Sequence, residues 1–141
     1  MSKAINDHIK LSIPNKPEYV SVVRLTVAAI ANRMGFDIEK IEDIKVAIAE
    51  ACTNAITHGK KDDQENFDIE FILKEKKLTM IVCDSGRGCI TDEINIPDLN
   101  NLKEGGLGIF IIKSLMDEVE IASDIGKGTI IRMSKYMGDD Y

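Results

Sequence analysis

The chain has 141 residues, 44% of them hydrophobic and 30% charged, which is the length and balance of one globular domain with a single core. A net charge of −6 and few aromatic residues argue against a primary nucleic-acid binder, which needs clustered Lys and Arg for phosphates and rings for bases. No apolar run approaches the roughly 20 residues of a membrane helix. The N-terminus lacks a signal-peptide core, and three cysteines without C-x-x-C spacing read as reduced thiols, so a cytoplasmic protein is expected.

Residues 8–13 alternate polar and apolar, the pattern of a strand. Pro14 and Pro17 then break the chain, and Pro17 suits the first turn of a helix. Val20, Val23, Val27, Ile30, Ala31 and Met34 form one apolar stripe at helical spacing, and Gly35 stops that helix. Asp37 is a good N-cap for a second helix, whose buried face is read as Ile38, Ile41, Ile44, Ile48, Ala51 and Ala55, with Gly59 as its end. Residues 60–66 are polar and read as a loop. Phe67, Ile69, Phe71 and Leu73, then Leu78, Met80 and Val82, alternate as two strands of a hairpin turning at residues 75–77. Residues 84–88 are a glycine-containing turn, and residues 91–104 have no clear period and read as a loop. A third helix follows Gly105-Gly106 over residues 107–115, and strands at 119–121 and 129–133 flank the turn at 126–128. Helices bunched between antiparallel strands predict a single α+β domain over residues 1–141. Its form is a two-layer sandwich with a mixed, mostly antiparallel sheet covered on one face.

Three segments carry polar groups suited to chemistry. Glu50, Asn54 and His58 are spaced i, i+4, i+8 and share one helix face, beside the small residues Ala47, Ala51 and Ala55. A carboxylate and an amide oxygen on one stripe suit a hydroxyl and a hard cation such as Mg²⁺. The plainer alternative is a solvated face, with His58 favoured there by the helix dipole. Asp84-Ser-Gly-Arg-Gly88 follows a strand, so Asp84 is either aimed into a cleft cleared by Gly86 and Gly88, or closes an Asx-type turn. Gly105-Gly106-Leu107-Gly108 opens a helix, where unshielded N–H groups suit phosphates; flexibility or close packing also explains a glycine.

Neither the P-loop nor the Rossmann fingerprint is present. The order E-x-x-x-N-A-x-x-H, D-x-G-x-G and G-x-G at a helix start instead resembles the nucleotide site of the Bergerat-fold ATPases, a superfamily that includes gyrase and the histidine kinases. Pro17-Glu-Tyr-Val, Arg24-Leu-Thr, Ile41-Glu-Asp-Ile-Lys, Glu50-Ala-Cys-Thr-Asn-Ala, Gly105-Gly-Leu-Gly and Leu115-Met-Asp-Glu-Val resemble the anti-sigma-factor serine kinases of the RsbW type. The ending Lys127-Gly-Thr-Ile-Ile-Arg is similar to the SpoIIAB type.

That resemblance implies a domain that binds ATP and Mg²⁺, sequesters a sigma factor and phosphorylates a serine of an anti-anti-sigma antagonist of the STAS type, as a homodimer. Carried onto this chain, it implies Glu50 as the base for the serine proton, Asn54 as the Mg²⁺ ligand, and His58 beside them in the nucleotide site. It implies Asp84 for the adenine amino group, Gly86 and Gly88 as room for the base, and Thr129 as a further adenine contact. Gly105, Gly106, Leu107 and Gly108 would meet phosphate, and Arg24 would meet the protein partners, its plain alternative being a surface arginine. Residues 91–104 correspond to the ATP lid and are shorter than the lids of the family. They contain Lys103 and no arginine, so the basic group for the phosphates is either Lys103 or Arg87, which otherwise faces solvent. The competing readings are a nucleotide-responsive sequestering module without catalysis and the ATPase domain of a histidine kinase. The latter lacks room for a phosphoacceptor hairpin, and His8 falls in a strand.

Overall fold

Alternation along the chain's middle sets the architecture. In the computed structural model, which describes residues 6–58, 66–84, 106–124 and 128–138, strands β1 (Asn6–Pro14), β2 (Asn66–Lys74), β3 (Lys77–Cys83), β4 (Glu118–Asp124) and β5 (Gly128–Tyr136) form one sheet in the order β1-β2-β3-β5-β4. Every pairing is antiparallel, so the mixed sheet expected from sequence narrows to an antiparallel one. The register aligns Ile9, Phe71, Met80, Met133 and Val119 in one row across the five strands. That row faces the helices. Phe67 and Phe71 are fully buried there, and truncating either to alanine would cost about 3–5 kcal/mol.

The other layer is α1 (Val20–Met34), α2 (Ile38–His58) and α3 (Gly106–Leu115), with α2 in the middle against both neighbours. A single 3₁₀ turn, Pro17–Tyr19, leads into α1 with Pro17 at its start. Gly35 ends α1 with φ at 105°, a left-handed conformation that favours glycine, and its N–H donates to the Ala31 and Asn32 carbonyls. Asp37 Oδ1 accepts from the Lys40 N–H at 2.8 Å, the N-cap bond expected for α2. Val23, Val27, Ile30 and Ala31 of α1 and Ile44, Ile48, Ala51 and Ala55 of α2 are buried. Ile38 is a correction: it is 79% exposed, because the apolar stripe of α2 outruns the layer beneath it.

The chain's end is tied back to α2. Lys40 Nζ donates to the Met137 carbonyl at 2.6 Å, and Lys135 Nζ lies 3.7 Å from Asp43 Oδ2 while donating to the Leu115 carbonyl. The cysteines depart from the expectation of three reduced thiols. Cys52 is free and buried, and burial pushes its thiol up to about 12, whereas Cys83 is disulfide-bonded. Cys89 lies outside the described residues. Among the described residues, no helix is long and apolar enough to cross a membrane.

Candidate functional site

The site is built from the second half of α2, the start of α3 and the facing ends of β3 and β5. Along α2, Ala47, Ala51 and Ala55 are buried, and Glu50 and Asn54, one turn apart, are half-buried. Neither the Glu50 nor the Asn54 side chain is hydrogen-bonded or ion-paired to another described residue. The helix α3 packs against this stretch. A Cβ built on Gly108 would stand 3.2 Å from Glu50 Oε1, so the carboxylate lies against the first turn of α3. This contact joins the first and third segments singled out from sequence.

The start of α3 is unshielded. A Cβ on Gly106 would meet nothing within 4 Å, and Leu107 is 75% exposed. The first four N–H groups of a helix have no partner within it, and they carry the positive end of the dipole. For α3 these belong to Gly106, Leu107, Gly108 and Ile109. Phosphate oxygens match such a set of donors, and Glu50 then stands at its edge.

The second segment is anchored differently. Asp84 follows β3 and is only 6% exposed. Its Oδ1 accepts from the Thr129 N–H at 2.7 Å, and its own N–H donates to the Thr129 carbonyl at 3.2 Å. Gly128, with φ at 92°, starts β5 in a conformation that favours glycine and so sets the Thr129 amide opposite Asp84. The bond fixes the Asp84 carboxylate, a requirement for reading the hydrogen-bonding edge of a base.

The chemistry of the donors decides which ion fits. Among the described residues no three His, Cys, Asp or Glu side chains cluster as a metal site. An amide oxygen with a neighbouring carboxylate instead suits Mg²⁺, which takes few protein ligands and completes its shell with water and phosphate oxygens.

Of the residues singled out from sequence, Glu50 meets Gly108 at the α2–α3 seam, with Asn54 one turn further along α2 and Gly106 and Leu107 at the open start of α3, and Asp84 meets Thr129. His58 is the last residue of α2. The His58 side chain, Gly86, Arg87, Gly88, Lys103, Gly105 and the segment 91–104 lie outside the described residues. Arg24 is exposed on α1, between the exposed apolar residues Val22 and Leu25. Sequence reasoning missed that the Thr129 backbone holds Asp84, although Gly126-Lys127-Gly128 marked the turn that sets it up.

Comparison with known proteins identifies the family. The family model for the histidine kinase-like ATPase domain matches residues 13–135. A protein named serine-protein kinase RsbW from Oceanobacillus iheyensis is 40% identical over 143 residues, covering 95% of this chain and 89% of that protein. The protein of the same name from Bacillus subtilis is 38% identical over 144 residues, covering 95% and 88%. A crystal structure of the RsbU and RsbW domains of a Mycobacterium tuberculosis protein superposes with a TM-score of 0.72 at 18% identity. That likeness shows the fold, over 95% of this chain and 33% of the mycobacterial one. With a helix-start donor set, an anchored aspartate and these relatives together, the chain belongs to the histidine kinase-like ATPases and, within them, to the RsbW serine-protein kinase family.

Proposed function

We propose that this chain is an ATP-dependent protein serine kinase and anti-sigma factor, which sequesters a sigma factor and phosphorylates a serine of an anti-anti-sigma antagonist of the STAS type. The single observation that carries the kinase reading is the Glu50 carboxylate lying against the first turn of α3, where phosphate donors gather. In this reading Glu50 takes the proton of the substrate serine as its oxygen bonds to the γ-phosphorus and the bond to the ADP oxygen breaks. Phosphoryl transfer depends on positioning and charge stabilisation, so one carboxylate and a ring of donors suffice. The N–H groups of Gly106, Leu107 and Gly108 hold phosphate, with Gly105 and Lys103 alongside. Asp84 and Thr129 take the adenine, Gly86 and Gly88 leave it room, and His58 borders the site. Asn54 holds Mg²⁺, which when bound neutralises charge on the phosphates.

Arg24, exposed on α1 beside Val22 and Leu25, is the proposed contact for the protein partners. A homodimer working in the cytoplasm, with residues 91–104 as a short ATP lid on a single 1–141 domain, completes the proposal. The histidine-kinase reading is disfavoured by His8, which lies in β1 and bonds Glu70 at 2.6 Å. Co-purification from the native cell, followed by transfer of label from ATP to the recovered antagonist, tests the proposal. A sigma factor and a serine-phosphorylated antagonist are expected; recovery of a receptor kinase instead, with no labelled serine, overturns it.

A further inference from the structure

Two glycines open α3, and neither has a backbone conformation that requires glycine. The only glycines with positive φ among the described residues are Gly35, Gly128 and Gly138, so Gly106 and Gly108 both have conformations open to any residue. Their surroundings differ. A Cβ at Gly106 enters open space, whereas a Cβ at Gly108 would stand 3.2 Å from Glu50 Oε1. That separation is tighter than ordinary carbon–oxygen contact, so a side chain at 108 would push the carboxylate back by a few tenths of an ångström or rotate it away.

We infer that Gly108 is a positioning residue for Glu50: the missing side chain at 108 lets the carboxylate rest against the first turn of α3, and any substituent there displaces it. The inference rests on the reading of Glu50 as the base and adds to the phosphate role of the Gly108 amide. The two roles have different signatures. A glycine kept for phosphate approach protects nucleotide affinity. A glycine kept for the carboxylate protects turnover, because small misplacements of a reacting group are costly in rate. Alanine is the better helix former at either position, so both variants are expected to fold.

The test compares Gly108→Ala with Gly106→Ala. ATP affinity is measured by calorimetry, turnover as label transferred from γ-labelled ATP to the serine of the co-purified antagonist, and the Glu50 carboxylate by NMR titration. Gly108→Ala is expected to lower kcat about tenfold or more with the ATP Kd within about threefold, and to move the Glu50 titration; Gly106→Ala leaves that titration in place. Glu50→Asp, which withdraws the carboxylate by one methylene, is expected to cost less in the Gly108→Ala background than in the parent protein. A Gly108→Ala variant with a tenfold weaker Kd and unchanged kcat overturns the inference in favour of phosphate approach alone. An unmoved Glu50 titration overturns it while leaving the base reading intact. A moved titration with unchanged turnover overturns the base reading, and the positioning role with it.

Discussion

The site holds two carboxylates, and they are treated in opposite ways. Asp84 is buried and held by the Thr129 amide at 2.7 Å, with the return bond from its own N–H extending the β3–β5 pairing. Glu50 is half-buried on α2, is not hydrogen-bonded or ion-paired to any other described residue, and has a carboxylate oxygen beside the space left by a glycine. A group that recognises a ligand gains from being fixed before the ligand arrives. A group that must accept a proton is better left without competing donors, since each bond to its charged form lowers its basicity. In the proposed function Asp84 is therefore a rigid reader at the sheet and Glu50 a lightly held base on the helix.

The largest effect that would break this contrast is on Glu50. Glu50→Ala is expected to lower phosphotransfer by about 10²–10⁴-fold, the range for loss of a positioned base, with ATP affinity within a few-fold. Paired kinase and calorimetric measurements check this, and a fully active variant would end the distinction. Next comes Asp84→Ala, which removes the acceptor of the half-buried Thr129 amide and, with it, the charged acceptor proposed for the adenine amino group. The loss of a charged hydrogen bond, about 1.5–3 kcal/mol, corresponds to ATP binding weakened by roughly 10–150-fold. Calorimetry with ATP reads it, and an unchanged Kd would mean that Asp84 serves only to close its turn. The smallest effect is on Cys52, two positions beyond Glu50 on the same helix but turned into the core. With its thiol pushed up to about 12 by burial, it is expected to stay unalkylated by iodoacetamide near pH 8 in the folded protein. Mass spectrometry after a timed reaction would show otherwise if the core face of α2 opens.

Much of the fold was legible because its signals are local. The stripes of α1 and α2, the Gly35 stop, the Asp37 cap and the alternation of Phe67 to Leu73 each depend on near neighbours in the chain. The outer face of the sheet was not legible in the same way. Glu70 is 5% exposed against His8, and Thr79 and Ser134 share a 2.8 Å bond while buried, yet Glu70 and Thr79 read from sequence only as the polar positions of an alternating strand, and Ser134 fell beyond the strand read at 129–133. Strand ends were under-called for the same reason: β5 runs to Tyr136 through Ser134 and Lys135, where alternation by polarity fails. In the site, residue identities and their order were legible, but the contacts were not. Asp84 meets Thr129 across 45 positions, and Glu50 meets Gly108 only because α3 packs against α2.

The pairing of β1 has a consequence for how the molecule assembles. It is the first strand in the chain and an edge of the sheet, and its side chain–side chain bond from His8 to Glu70 spans 62 positions. Closing so long a loop costs entropy that only completed contacts repay, whereas α1 meets α2 across a short bend at Gly35. The helix pair and the β2–β3 hairpin are thus expected to form early, and β1 to dock late. Pulse-labelled amide exchange during refolding would register this as protection in α1 and α2 preceding protection in β1.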